Sequence, residues 1–469
     1  MDSPADLSLA GAASLVAARE ISSRELTQAM LDRIERVDPA IGAFAQIEPE
    51  LALAQADACD RDLSEGRARG PLHGVPLAHK DLLYRTGAPA QAGSPLRAGW
   101  RARSDATVLS QLEAAGAVTL GRLAMAEFAY DPTGNNGVSG LARNPWNADR
   151  ICGGSSSGSG AAVAARLCFG SIGSDTGGSI RLPAAICGVV GLKPTHGRVS
   201  LHGAMPLSFS MDCLGPLTRN VADAALMLAA IAGPDPLDAT SFDIPAGDYS
   251  AACRQTPHGL VVGIPHDYFW QHVDQNIADL LHRAIDRMTQ AGCKVVQVSL
   301  SDMDAAVAAA SIVLGAEAAA LHRPDFAAAP DGYSPAVRTR MENGLGYLAV
   351  DYIDALRYRA VALARYLEAT AEVHVVAAPA LGTPVPTVSE IETTALGGTS
   401  HVAAMLTYWT RPANFLGIPA ISVPAGLGAD GMPVGLQLMG KPFAEATLLR
   451  AGSAAEAVSE MAGARPALS

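Results

Sequence analysis

The sequence has little positive charge and no long apolar run. Lys and Arg together number 34, Asp and Glu number 46, and the net charge is −12. No run of basic residues occurs, so we do not expect a nucleic acid as a partner. No apolar stretch reaches the roughly 18 residues of a membrane-spanning helix, so a membrane partner is not expected either.

Cysteines and aromatic residues are also scarce. The seven cysteines lie apart and form no CxxC pair, so neither a metal site of the zinc type nor a disulfide framework is indicated. A reduced, cytoplasmic setting fits this pattern best. The N-terminal residues MDSPADLSLA contain no basic segment, and no signal peptide is expected.

Small apolar residues supply much of the expected core. Apolar residues make up 49% of the chain but aromatic residues only 5%, a composition that suggests closely packed helices and sheets. Short apolar segments typical of buried strands alternate with helical segments, which predicts an α/β fold with a largely buried sheet. Because the 469 residues contain no repeat and no clear linker, we expect a single domain.

A stretch rich in glycine and serine runs from Cys152 to Pro183. It contains two Gly/Ser clusters, Gly153–Gly160 and Ser174–Ser179, on either side of the apolar run Ala161–Phe169. Glycine lets the backbone approach closely and adopt positive φ, while serine supplies hydroxyl groups. Such a loop can direct several N–H groups and one Oγ at a single point, which acyl transfer requires. A flexible linker is the plain alternative, but the apolar run is typical of a buried helix.

Several reaction classes lack their motif in this stretch. A P-loop would need GxxxxGK[ST], and the first Gly/Ser cluster contains no such lysine. The GxSxG turn of α/β-hydrolases is excluded because Gly177–Arg181 ends in arginine. HExxH is absent, and no SxxK occurs around these serines. What remains is a serine nucleophile, Ser179, with a lysine base. Lys80 is the candidate base because it ends an apolar run, Val75–Ala78, that predicts a buried strand. Spacing alone does not establish that these two residues meet.

The Gly/Ser clusters and their flanks resemble one enzyme family. Gly154–Gly158 reads GSSSG, and Gly173–Pro183 reads GSDTGGSIRLP. Together with GVPLAHKD at 74–81, ARNPW at 142–146 and NFLGIPAISVPAG from 414, they are similar to the amidase signature family of serine hydrolases. The resemblance covers most of the chain and is poor over about 235–400. It implies an α/β fold in which a mixed, largely buried central β-sheet is surrounded by α-helices.

The resemblance implies a catalytic triad. In this family a lysine, a serine in a cis peptide and a nucleophilic serine act together, and the matching residues are Lys80, Ser155 and Ser179. Neutral Lys80 would accept a proton from Ser155, which takes the proton of Ser179. The Ser179 hydroxyl would attack a carbonyl to form an acyl-enzyme, which water then hydrolyses. No metal or organic cofactor is implied.

Neighbouring residues receive roles from the same resemblance. Backbone N–H groups would hold the oxyanion, contributed by Thr176, Gly177 and Gly178 together with Ser179. Residues expected to support the loop rather than react are Ser156, Asp175 and Arg181. Residues expected to contact the substrate are Phe128, Ala129, Tyr130 and Gly154.

The resemblance also divides the single domain into four parts. Residues 1–66 form an N-terminal helical layer, and residues 67–232 form the catalytic core with the signature. Residues 233–400 form a divergent region that is expected to shape the substrate site. Residues 401–469 return to the core.

Two functions fit these expectations. The first is a free-standing hydrolase of a small-molecule amide, hydrazide, carbamate or aryl amide, with a homodimer possible. The alternative is the glutamine-hydrolysing subunit of a tRNA-dependent amidotransferase, which has an acidic residue five positions before the Pro-x-Asn of its substrate wall. Thr407 occupies that place before Pro412-Ala413-Asn414. A non-catalytic relative is disfavoured because all three triad positions are intact.

Overall fold

An eleven-stranded sheet runs through the part of the chain that the computed structural model describes, residues 4–391 and 400–468. The strands are β1 (Phe44–Ile47), β2 (Pro76–Lys80), β3 (Val118–Leu123), β4 (Gly170–Asp175), β5 (Val190–Lys193), β6 (Cys213–Thr218), β7 (Val261–Pro265), β8 (Lys294–Val298), β9 (Val375–Pro379), β10 (Ala420–Leu427) and β11 (Pro433–Met439). Their order across the sheet is β1-β3-β2-β4-β6-β5-β10-β11-β9-β7-β8. Strand β2 pairs in parallel with β3 and β4, and β7 with β8 and β9, whereas the remaining pairs are antiparallel. The expected mixed sheet is therefore confirmed.

Helices surround this sheet. They are α1 (Leu9–Ala17), α2 (Ser23–Ile41), α3 (Pro49–Ser64), α4 (Thr107–Ala114), α5 (Ser157–Ala164), α6 (Arg181–Cys187), α7 (Val221–Ile231), α8 (Tyr249–Cys253), α9 (Gln275–Gln290), α10 (Met303–Ala328), α11 (Pro335–Leu345), α12 (Ala349–Ala369), α13 (Ser400–Thr407), α14 (Arg411–Phe415) and α15 (Glu445–Ala457). Strands β2, β4, β6, β9 and β11 are buried at every residue. Strands covered on both faces are typical of α/β folds, and they explain the near-continuous apolar runs in the sequence.

One helix begins earlier than the sequence pattern indicates. Helix α5 begins at Ser157, inside the first Gly/Ser cluster, rather than at the start of the apolar run. Its glycines permit this because the helix lies close to other backbone: a Cβ built on Gly158 would be 2.3 Å from the Ala43 carbonyl oxygen. Helices α11 and α12 are separate elements, and Asp351 accepts a hydrogen bond from the Leu348 N–H where the second of them begins.

One helix reopens the question of a membrane span. Helix α10 is long and apolar enough to cross a membrane, with a mean hydropathy of 1.6 over its most apolar window. More than half of that window is buried inside the protein. A buried core helix meets the same criteria, so α10 is weak evidence for a span.

Candidate active site

Lys80 lies at the carboxyl end of β2 and is completely buried. Its Nζ donates hydrogen bonds to Ser155 Oγ at 2.6 Å and to Ser174 Oγ at 2.9 Å. Because β2 and β4 are parallel neighbours, their carboxyl ends meet at the same edge of the sheet. This arrangement places Lys80 next to Ser174 of β4 and next to the loop that follows it.

Two loops carry the candidate serines, and they are joined by backbone contacts. The Gly154–Ser155 peptide bond is cis. The Ser156 N–H donates to the Ser179 carbonyl at 3.3 Å, and Ser156 Oγ donates to the Ser174 carbonyl at 3.2 Å. The structure thus brings Lys80, Ser155 and the loop of Ser179 together, and Ser156 is hydrogen-bonded to the backbone of Ser174 and Ser179.

The environment of Lys80 favours a neutral amine. Burial lowers the pKa of Lys80 to about 7, although the charges of Asp175 and Asp212 act to raise it. Both groups that accept hydrogen bonds from Nζ are hydroxyls rather than carboxylates. A large fraction of the lysine is therefore unprotonated at neutral pH and can accept a proton.

His79 does not share the site with its neighbour. Successive side chains of a strand point to opposite faces, so His79 and Lys80 project to different sides of β2. Burial lowers the pKa of His79 to about 4. This histidine is neutral at the pH where Lys80 titrates.

A buried ion pair holds the loop of the nucleophile. Arg181 and Asp175 are completely buried, and Arg181 Nη2 lies 2.9 Å from Asp175 Oδ1. Burial acts to raise the pKa of Asp175, but the charge and hydrogen bonds of Arg181, with further contributions from Lys193 and Asn414, hold it well below its usual range. The pair joins the end of β4 to the start of α6.

One of the four N–H groups expected to hold an oxyanion already has an acceptor in the protein. The Gly178 N–H donates to Asp175 Oδ1 at 2.7 Å, so it is already engaged. The N–H groups of Thr176, Gly177 and Ser179 have no acceptor among the described residues of the protein. These three are the available donors for a negatively charged oxygen next to Ser179.

Gly178 is required by its surroundings. Its φ is +133°, and a Cβ at this position would lie 2.1 Å from Thr410 Oγ1. Thr410 Oγ1 donates to the carbonyl of Gly177 at 2.7 Å. The segment just before α14 therefore packs directly on the catalytic loop.

A cavity of about 580 Å³ opens beside Ser179. This volume suits a small-molecule ligand. Ala129 and Tyr130, two of the residues expected to contact the substrate, belong to its lining. The charged residues of the lining are Asp131, Arg340 and Arg411.

Two of the expected substrate contacts lie outside this lining. Phe128 is buried in an aromatic cluster, with ring centroids 4.5 Å from His322 and 5.3 Å from Tyr333. Gly154 packs against Gly134, whose backbone nitrogen would be 2.7 Å from a Cβ on Gly154. Both residues shape the backbone next to the cavity instead of facing it.

The sequence did not reveal the cavity wall formed by α10, α11 and α14. Ser311, Arg340 and Arg411 come from three helices that are distant along the chain. Only Arg411 had a usable signal, because it directly precedes Pro412-Ala413-Asn414. No group of His, Cys, Asp and Glu residues suited to a metal ion occurs within residues 4–391 and 400–468.

Known proteins resemble this chain over nearly its whole length. The Amidase family model matches residues 25–449. The chain is 40% identical to a glutamyl-tRNA(Gln) amidotransferase subunit of Moorella thermoacetica, covering 96% of both proteins, and it is 39% identical to the subunit of the same name from Geobacter metallireducens, covering 93% of this chain and 94% of that protein. Among solved structures, a chain from a vestigial protein complex that reveals the origins of an s-triazine catabolic enzyme is 34% identical, with a TM-score of 0.90 and coverage of 99% and 100%. The peptide amidase of Stenotrophomonas maltophilia is 31% identical, with a TM-score of 0.85 and 99% of both chains covered.

We expect kcat/KM for amide hydrolysis to rise with pH along a limb centred near pH 7. Only neutral Lys80 can accept a proton, and its pKa is lowered to about 7, so activity should fall as pH drops below that value. An unshifted lysine, with a pKa of about 10.4, would extend the limb far into the alkaline range. A pH–rate profile measures the difference.

Lys80 variants test whether this limb belongs to the lysine. Lys80→Ala removes the amine, and the arginine of Lys80→Arg stays protonated. Each variant should therefore lower amide turnover by roughly 10²- to 10⁴-fold. His79→Asn is the control and should keep the limb. Near-normal turnover with the same limb in Lys80→Ala would identify a different base.

Ser179→Ala should abolish covalent labelling by a serine-directed fluorophosphonate while the fold is retained, because only one hydroxyl is lost. Mass spectrometry of the wild-type protein should show a single adduct, on Ser179. Ser157→Ala is the control, since Ser157 belongs to the same Gly/Ser stretch but lies in α5. An adduct on Ser155 or Ser157 would show that the nucleophile is a different serine.

Asp175→Asn should destabilise the protein strongly, because it leaves the charge of buried Arg181 without its partner. Loss of one member of a buried pair costs roughly 3–5 kcal/mol, which denaturant unfolding can measure. Asp331→Asn is a matched control: it removes the exposed partner of Arg338 and should leave the unfolding midpoint almost unchanged. Equal midpoints for the two variants would show that the buried pair does not hold the loop.

Proposed function

Because the chain belongs to the amidase family, whose members act on carbon–nitrogen bonds, we propose that it hydrolyses a small-molecule amide through an acyl-enzyme on Ser179. The observation that carries this proposal is the contact between Lys80 and Ser155. A buried lysine with a pKa lowered to about 7 donates to a serine hydroxyl at 2.6 Å, and the candidate nucleophile Ser179 lines the neighbouring cavity. These are the parts that a proton relay needs.

The proposed reaction moves one proton out and back. Ser179 Oγ gives its proton to Ser155 Oγ as it attacks the carbonyl carbon, and Ser155 passes its own proton to Lys80 Nζ. The N–H groups of Thr176, Gly177 and Ser179 stabilise the oxyanion. The proton then returns through Ser155 to the leaving nitrogen as the C–N bond breaks. Water, deprotonated by the same relay, releases the acid and restores Ser179.

The names of the curated relatives favour the second candidate, the glutamine-hydrolysing subunit of a tRNA-dependent amidotransferase. Such a protein would have other subunits as partners, in addition to its small-molecule substrate. Against this candidate, Thr407 lies in the cavity wall at the position where the family resemblance implies an acidic residue in that subunit. The two candidates share the chemistry at Ser179 and differ in substrate and in autonomy.

Purified chain without partners or ATP should hydrolyse simple amides if it is a free-standing enzyme. Release of ammonia or amine from a panel of amides, hydrazides, carbamates and glutamine measures this, with Ser179→Ala as the inactive control. Turnover of glutamine alone, and only after partner subunits are added, would favour the amidotransferase candidate. Absence of fluorophosphonate labelling at Ser179 would contradict both.

A further inference from the structure

Arg411 lies in the cavity wall with an incomplete set of partners. Its Nη1 donates to Ser311 Oγ at 2.9 Å, and its Nη2 donates to Thr407 Oγ1 at 2.6 Å. Its Nε has no hydrogen-bond partner within the described residues. Both known partners are neutral hydroxyls, although a guanidinium forms its strongest hydrogen bonds with carboxylates.

The free edge of Arg411 faces the catalytic loop. A Cβ built on Gly177 would lie 3.7 Å from Arg411 Nε, with no closer atom around it. Gly177 is two residues before Ser179, a backbone span of at most about 7 Å. A group bound at this edge of the guanidinium is therefore close to the carbonyl that Ser179 attacks.

The second arginine of the wall is already paired. Arg340 Nη1 donates to the Tyr130 carbonyl and lies 3.9 Å from Asp131 Oδ1. Asp131 is the one carboxylate in the described lining, whereas Arg340 and Arg411 are both cations. The cavity thus has one positive charge without a protein counterion among the residues described. Burial lowers the pKa of Arg411, and the charge of Arg340 acts in the same direction.

We infer that Arg411 binds a carboxylate of the substrate, so that the preferred substrates are short amides with a carboxylate a few bonds from the scissile carbonyl. This inference rests on the proposed hydrolysis at Ser179. The Nε–H and one Nη–H form a planar fork that fits two carboxylate oxygens. A bound carboxylate would also relieve the repulsion between Arg411 and Arg340.

The same charges disfavour a substrate ammonium group. Asp131 is occupied by Arg340, and the other polar residues of the described lining are neutral hydroxyl and amide side chains. Glutamine carries an α-ammonium group that would remain without a carboxylate partner near two arginines. Glutaramate, which has the same chain without that group, should therefore be the better substrate.

The first test compares matched substrate pairs with the wild-type protein. Succinamate should exceed butyramide in kcat/KM by at least about 30-fold, the factor typical of one well-placed buried charge pair. Glutaramate should exceed glutamine. Equal rates for succinamate and butyramide would overturn the inference, and glutamine equal to glutaramate would overturn its ammonium part and favour the amidotransferase candidate.

The second test removes the cation. Arg411→Gln should reduce the ratio of kcat/KM for succinamate to that for butyramide by at least about 30-fold, mainly through KM for succinamate. Arg338→Gln is the matched control: this arginine lies on the same helix as Arg340 but pairs with exposed Asp331 and Glu342. Its ratio should equal that of the wild type. A wild-type ratio in Arg411→Gln would overturn the inference.

A third variant neutralises Arg411 in place and does not depend on the folding of Arg411→Gln. Thr407→Asp puts a carboxylate where Thr407 Oγ1 now accepts from Arg411 Nη2, so it should lower the ratio of kcat/KM for succinamate to that for butyramide. Thr407→Asn has nearly the same shape as the aspartate variant but no charge, and it should not lower this ratio. Fluorophosphonate labelling of Ser179 confirms that each variant is folded. If the wild type labels but hydrolyses no amide, the proposed function fails; if it hydrolyses amides without preference for carboxylates, only the present inference fails.

Discussion

A buried lysine can serve as a base only if no carboxylate pairs directly with it, because such an ion pair keeps the amine protonated. Two carboxylates lie near enough to Lys80 to raise its pKa, Asp175 and Asp212. Each is committed elsewhere: Asp175 binds Arg181, and Asp212 accepts from Thr176 Oγ1 at 2.5 Å and from the Leu207 N–H. Lys80 Nζ is left with hydroxyl partners, and burial can then lower its pKa to about 7. The lowered pKa of Lys80 therefore depends on Asp175 and Asp212 being bound to other groups.

The ion pair between Asp175 and Arg181 also connects the loop of Ser179 with the cavity wall. Arg181 Nη1 donates to the Thr410 carbonyl at 2.8 Å, and Nη2 donates to Asn414 Oδ1 at 2.6 Å. Arg411 lies between these two residues at the start of α14. The Asp175–Arg181 pair holds the N–H groups next to Ser179, and it thus also fixes the Arg411 guanidinium in the cavity wall. A substitution in this ion pair should alter reaction rate and substrate selection together.

Sequence reasoning reached the parts of the site that short motifs encode. Lys80 at the end of a buried strand and the two Gly/Ser clusters are local patterns, and the fold brings them together as the resemblance implies. The cavity wall was not accessible in this way, because Arg340 and Arg411 come to line one cavity only when α11 and α14 pack against α10. Strand β6 carries a weak local signal for a related reason: Gly215 and Pro216 oppose strand formation locally, but pairing with β4 and β5 overrides them.

This division explains why whole-chain identity to a named enzyme specifies the reaction more firmly than the substrate. The proposed relay lies on β2, β4 and the loops next to them, and every part of it would have to keep its geometry for acyl transfer to occur. The cavity wall lies on α10, α11 and α14, where a change of one charge leaves the relay intact. An acidic side chain in place of Thr407 would pair with Arg411 and cancel the charge that now faces the catalytic loop. One side chain in the wall can therefore separate two substrate classes between proteins that share 40% of their residues.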